Sequence, residues 1–203
     1  CKRCDYLSKE TGIGSVVRFF VEFFQNFLAV YCMVFCFNLF AHGKESGPWG
    51  SKIKHLAEIA ERHNCKVLSP DYSDLMNPDA RVERLLATPL LPHDRLVMVG
   101  SSMGGYVSTV ASQKLKPEGL FLMAPAFNLP GYREPSPGSG AEYTCVVMGW
   151  HDEIIPVANG IAFAQAHSAE LHVLDSDHRL DGVVQKVGSL FEVFLETVLN
   201  PRG

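Results

Sequence analysis

Three short stretches of this 203-residue chain carry side chains able to do chemistry together. The first is Gly100-Ser101-Ser102-Met103-Gly104-Gly105, which matches G-x-S-x-G between an apolar run and a helical run. A serine in that setting sits on a turn so tight that a side chain at Gly100 or Gly104 would strike neighbouring backbone. Its hydroxyl then projects from the carboxyl end of a sheet. The backbone N–H of Met103, at the start of the helix, faces the oxyanion that forms when the serine attacks a carbonyl. Ser101 does not fit this role, because only Ser102 has glycine both two before and two after it. A Gly-rich turn can also cradle phosphate, but neither G-x-x-x-x-G-K-[ST] nor G-x-G-x-x-G occurs.

Serine is a weak nucleophile and needs a base. Two downstream stretches offer the partners. The run TCVVMGW ends in His151-Asp152-Glu153, which puts Asp152 on a loop after a strand. The run ELHVLDS ends in Asp177-His178-Arg179-Leu180, which puts His178 on a loop before the last helix. The order Ser102, Asp152, His178 is the one expected of an acid and a histidine that follow a nucleophile elbow. His178 takes the serine proton and returns it to the leaving group, while Asp152 fixes the imidazole tautomer and stabilises the imidazolium. Glu153, Asp175 and Asp177 are the competing acids. His172 alternates within a strand and reads as structural, and His151 reads as a residue of the site mouth. The second oxyanion donor is expected from the loop after an early strand, Ala41-His42-Gly43-Lys44, with the Lys44 N–H first and Gly43 close behind. His42 and Gly43 are also assigned to substrate binding, and Ser51 to capping the following helix.

These residues need a scaffold that brings distant strand ends together. From residue 33 onward apolar runs alternate with amphipathic ones. Strands are predicted over 35–41, 66–72, 94–100, 119–125, 144–150 and 170–176, and helices over 51–63, 79–91, 104–115, 157–168 and 183–199. Strands without polar alternation, separated by amphipathic helices, predict a three-layer α/β sandwich with a mostly parallel sheet covered on both faces. The Pro- and Gly-rich stretch 128–142 either crosses the sheet or arches over a site.

The length suits one domain, and 47% apolar with 20% charged residues is globular rather than disordered. The net charge of −4 gives no basic footprint for nucleic acid. Cys1 and Cys4 form a lone CxxC without the second half of a zinc site, so no metal is expected. Cys32, Cys36 and Cys145 lie in apolar runs and read as small core residues, which makes a reducing, cytoplasmic setting the default. Residues 13–30 have a helical period with a broad apolar face. A span over 19–41 would carry Glu22, Gln25, Asn26 and Asn38 and consume the strand before His42, so a surface helix or packed extension fits better. A chain that opens on Cys1 rather than Met reads as a fragment or a processed product. The domain expectation is an N-terminal extension over 1–32, an amphipathic helix, followed by a catalytic domain over 33–203.

Together AHGKESGPWGSK, VGSSMGGYVS, MGWHDEIIPV and LDSDHRL resemble the α/β-hydrolase superfamily over about residues 33–199. Its small, nearly lidless esterases of the YqiA-like kind are the most similar. The resemblance implies a compact α/β-hydrolase fold with a minimal cap, Ser102, Asp152 and His178 as the triad, and Lys44 and Met103 as oxyanion donors. It further implies hydrolysis of carboxylic esters or thioesters, small-molecule substrates and no cofactor. Lys44 departs from the apolar or aromatic residue usual in relatives, and residues 1–32 match nothing in them. The competing readings are a non-catalytic binding protein on the same fold and a membrane-associated acyl-protein thioesterase held by residues 13–30.

Overall fold

The computed structural model describes residues 35–201. The Cys1-Cys4 pair, Cys32, the helix expected over 13–30 and the extension expected over 1–32 lie outside them.

Each predicted apolar run becomes a strand: β1 (Cys36–Ala41), β2 (Lys66–Leu68), β3 (Arg95–Ser101), β4 (Gly119–Met123), β5 (Tyr143–Gly149) and β6 (Glu170–Leu174). They form one sheet in the order β2-β1-β3-β4-β5-β6, and every neighbouring pair is parallel. Among the described residues five helices cover it: α1 (Ser51–Arg62), α2 (Pro78–Ala87), α3 (Met103–Leu115), α4 (Val157–His167) and α5 (Val184–Leu199), the last preceded by a 3₁₀ turn at Asp181–Val183.

Side chains alternate along the strands, so the sheet feeds two cores. Phe40, Val97, Val99 and Phe121 face α1 and α5, where they meet Leu56 and Phe191. Phe37, Leu39, Met98 and Leu122 face the other way and meet Leu85 of α2, Tyr106 of α3 and Phe163 of α4. Because both faces are buried, the strands read as continuous apolar runs. From β1 the chain first builds outward to β2, then returns to lay β3 on the other side of β1. The strand order therefore reverses between β1 and β3. Ligands of open parallel sheets bind at such a switch, beyond the carboxyl ends of the strands.

Three expectations are corrected. The strand expected through Tyr72 stops at Leu68, on the sheet edge. Ser69 donates its hydroxyl to the Pro48 carbonyl at 2.6 Å and turns the chain away, and Pro70 has no N–H to continue the ladder. The helix expected to reach Leu91 stops at Ala87, because Thr88 precedes Pro89 and is driven to extended backbone (φ −70°, ψ 124°). Ser51 is the first residue of α1 and not its cap: Gly50 takes the cap position, and the Ser51 hydroxyl lies 3.5 Å from Asp181.

The passage from β4 to β5, residues 124–142, contains no helix. It is held instead by Tyr132, whose ring meets the Tyr106 ring edge-on at 4.6 Å, and by the Gly140 amide, which donates to the Ser112 hydroxyl at 2.9 Å. No helix of the described residues is long and apolar enough to cross a membrane.

Candidate active site

Ser102 occupies the sharp turn between β3 and α3, with φ 54° and ψ −119°. That backbone lies outside the regions open to side-chain-bearing residues and is held from several sides. The Ser102 amide donates to the Met123 carbonyl at 2.9 Å, and its carbonyl accepts from the amides of Gly105 and Ala126 at 2.9 and 3.0 Å. A Cβ on Gly100 would fall 2.6 Å from the Gly105 Cα. A Cβ on Gly104 would collide with the Ala41 carbonyl. Glycine at these two positions lets the helix start directly on top of the strand ends.

Asp152 follows β5. Its Oδ1 accepts from the amides of Ile154 and Ile155 at 2.9 and 2.7 Å, which aims the other oxygen at the next loop. His178 follows β6, in a turn closed by Asp177, whose carboxylate accepts from the amides of Arg179 and Leu180. The two loops are tied together by the Trp150 amide on the Leu174 carbonyl and the His151 amide on the Ser176 carbonyl. The His178 ring lies between the other two side chains. Nδ1 is 2.7 Å from Asp152 Oδ2, and Nε2 is 3.0 Å from Ser102 Oγ. The Asp152 side chain is fully buried and that of His178 is 14% exposed, so the contact is shielded from water but open toward Ser102. A carboxylate on Nδ1 holds the ring proton there and leaves Nε2 free to accept from the serine hydroxyl.

Of the competing residues, Asp175 pairs with His151 at 2.8 Å in the open, and His172 pairs with Glu170 at 2.6 Å on the edge strand. Neither reaches Ser102.

A scan against protein-family models gives no match, and a search of curated proteins gives none either. Solved structures do match. A protein from Xanthomonas campestris pv. campestris assigned to the alpha/beta hydrolase superfamily is 36% identical, with a TM-score of 0.72, over 79% of this chain and 98% of its own. The chain belongs to the α/β-hydrolase superfamily. Two more distant structures share the fold. Est1E from Butyrivibrio proteoclasticus is 16% identical over 82% of this chain and 89% of its own (TM-score 0.64). An α/β serine hydrolase without lid from Xanthomonas campestris is 19% identical over 82% and 84% (TM-score 0.59).

In this α/β hydrolase a cleft of about 660 Å³ opens over Ser102 and His178, within the size range of small-molecule sites. The segment expected over 128–142 arches over it and contributes Leu129, Pro130 and Tyr132. Ile154 and Ile155 form another apolar stretch of wall. The rim also carries charge, with Lys44, Glu45, Lys52, Arg179 and Asp181. Burial lowers the Lys52 ammonium from its usual value, against the opposing pull of Asp181 and Asp177.

Gly43 and Lys44 line the cleft, and a Cβ on Gly43 would lie 3.5 Å from the Ser102 Cβ. Among the described residues neither the Lys44 nor the Met103 amide donates to a protein acceptor. His42 is different, and its expected contact with substrate is corrected. The residue is fully buried and does not line the cleft. Its Nε2 accepts from the Tyr72 amide at 2.9 Å, so the proton is on Nδ1, which donates to the Gly43 carbonyl at 2.8 Å. Burial, aided by the nearby Arg81 guanidinium, pushes the imidazole below its ordinary range and keeps it neutral, as this pair of bonds requires.

Arg81 was not foreseen. It is wholly buried on α2. Its guanidinium donates to the carbonyls of Leu75 (2.7 Å), Gly43 (3.1 Å), His42 (3.3 Å) and Lys44 (3.5 Å), and it lies over the Tyr72 ring at 5.7 Å. Its place four residues before Leu85 puts it on the buried stripe of α2, which is the signal the sequence held.

Proposed function

We propose that this α/β hydrolase is a serine esterase or thioesterase that acts through an acyl-enzyme on Ser102. The observation that carries the reading is the His178 ring lying 3.0 Å from the Ser102 hydroxyl and 2.7 Å from Asp152. The Ser102 oxygen attacks the acyl carbon as its proton passes to His178 Nε2. The carbonyl oxygen takes the negative charge and is met by the amides of Met103 and Lys44. The C–O or C–S bond then breaks, and His178 gives its proton to the departing alkoxide or thiolate. Water repeats the sequence: it loses a proton to His178, attacks the acyl carbon, and releases the carboxylic acid and the serine. Asp152 holds the imidazolium throughout.

The apolar wall of Leu129, Ile154 and Ile155 suits an acyl chain, and the absence of a helix over residues 124–142 suits small or exposed acyl groups. The test is a panel of nitrophenyl esters and acyl-CoA thioesters, run beside fluorophosphonate labelling. Hydrolysis and labelling are expected in the wild type and absent in Ser102→Ala. Undiminished labelling in Ser102→Ala, or no hydrolysis of any ester or thioester by protein that labels at Ser102, would remove the reading.

A further inference from the structure

We propose that Arg81 is a positioning residue that turns and polarises the Lys44 N–H as an oxyanion donor; the inference rests on the esterase reading above. A trans peptide unit points its C=O and N–H in opposite directions. The Gly43 carbonyl and the Lys44 N–H belong to one such unit. Its oxygen end is held twice, by Arg81 Nη1 at 3.1 Å and by His42 Nδ1 at 2.8 Å. The N–H end is therefore turned away from α2. Gly43 itself packs against Ser102, so the free end of the unit lies on the nucleophile's side of the loop.

A loop centred on glycine has little conformational preference of its own. The planar fork of Arg81 supplies it by holding the carbonyls of His42, Gly43 and Lys44 at once. His42 is fixed in turn by the Tyr72 amide, and Tyr72 lies under the guanidinium. The loop is thus clamped through its oxygens, which leaves its amides to the cleft.

The charge of the clamp calls for its own explanation. Asparagine or glutamine could bind carbonyls without burying a cation. Yet Arg81 is wholly buried, and among the described residues no carboxylate lies within 4.0 Å of it. A buried charge without a counter-ion is costly. A cation on the Gly43 oxygen draws electron density through the peptide and makes the Lys44 N–H a stronger donor. Asp71 and Asp74 attract it only from farther out, at the surface, and the tetrahedral oxyanion adds a negative charge on the cleft side, so the arrangement favours the transition state over the bound ester.

The experiment compares Arg81→Lys and Arg81→Gln with Arg84→Gln, which breaks the exposed Arg84–Asp74 pair one turn along the same helix. Rates of nitrophenyl ester hydrolysis are expressed per Ser102 titratable with fluorophosphonate, so unfolded protein does not count. Arg81→Gln is expected to lose roughly 10- to 100-fold in kcat with KM within about threefold, less than outright removal of an oxyanion donor costs, because the Lys44 N–H is still present. Its affinity for a boronic acid is expected to fall in parallel. Arg81→Lys, which keeps the charge but not the fork, is expected to fall between Arg81→Gln and wild type, and Arg84→Gln to match wild type. Wild-type kcat per titrated site in Arg81→Gln overturns the inference, as does a loss seen only in KM. So does failure of both Arg81 variants to yield any titratable site, which makes the arginine a folding residue. A wild type that does not label at Ser102 fails the esterase reading instead.

Discussion

The first turn of α3 presses so closely on the end of β1 that Gly104 leaves no room for a Cβ against the Ala41 carbonyl oxygen. This contact joins the serine turn to the loop of His42 and Gly43, because Ala41 is the last residue before that loop. A methyl group there must push α3 off the strand ends. Gly104→Ala is expected to cost about 3 kcal/mol of stability in urea denaturation and to slow fluorophosphonate labelling of the fraction that still folds. Wild-type stability in this variant would mean that α3 can move away from β1 freely.

Ser102 holds φ 54° and ψ −119°, a backbone that strains any residue with a Cβ. Glycine relieves that strain. Ser102→Gly is therefore expected to be about 1 kcal/mol more stable than Ser102→Ala, although both lose hydrolysis. Equal melting curves for the two variants would show that the turn stores no strain.

Asp152 binds His178 through one carboxylate oxygen and the amides of Ile154 and Ile155 through the other. An amide at this position can keep the second set of bonds but offers either the wrong partner or the wrong tautomer to the imidazole. Asp152→Asn is expected to fold normally and to lose kcat by roughly 10³- to 10⁴-fold, with KM little changed. A loss under tenfold would point to a different acid.

The fold was legible because it is written in patterns that local physics enforces. The runs of β1, β3, β4 and β5 are largely apolar on both faces; β1 ends before His42, β3 at Gly100-Ser101 and β5 at Gly149, while β4 gives out before Ala124-Pro125. Ser102 stands out by its flanking glycines, and Asp152 and His178 by following such runs. Arg81 and His42 were harder. Both look polar and therefore exposed, and what buries them is a set of backbone carbonyls and amides that leaves no trace in side-chain types. The early ends of β2 and α2 were readable in Pro70 and Pro89, whose effects on hydrogen bonding and on the preceding residue outweigh the apolar periodicity around them.

His42 is held neutral between the Tyr72 amide and the Gly43 carbonyl, with its pKa below the ordinary imidazole value near 6.5. The unfolded chain keeps the ordinary value. Between the two values the unfolded state binds the extra proton, so stability rises with pH there. The contribution is intact above about pH 6.5 and is lost as pH falls through the folded-state value. His42→Gln cannot titrate. The stability gap between wild type and His42→Gln, from urea melts between about pH 8 and pH 5, is expected to narrow toward the acid end. Parallel curves would show that protonation of His42 does not oppose folding.

Residues 124–142 are, among the described residues, the one strand-to-strand passage with no helix to seat against the sheet. Its length is not tied to an apolar stripe or to a helical repeat. Doubling such a loop costs only about 0.6 kcal/mol of chain entropy. At its exposed turn, Pro130–Gly131, new sequence could be spliced in without displacing Ala126 or Phe127 from the core or His178 from Ser102. The roof of the cleft is thus the evolvable part of the molecule: a lineage could exchange one clientele for another while inheriting the same strand ends underneath.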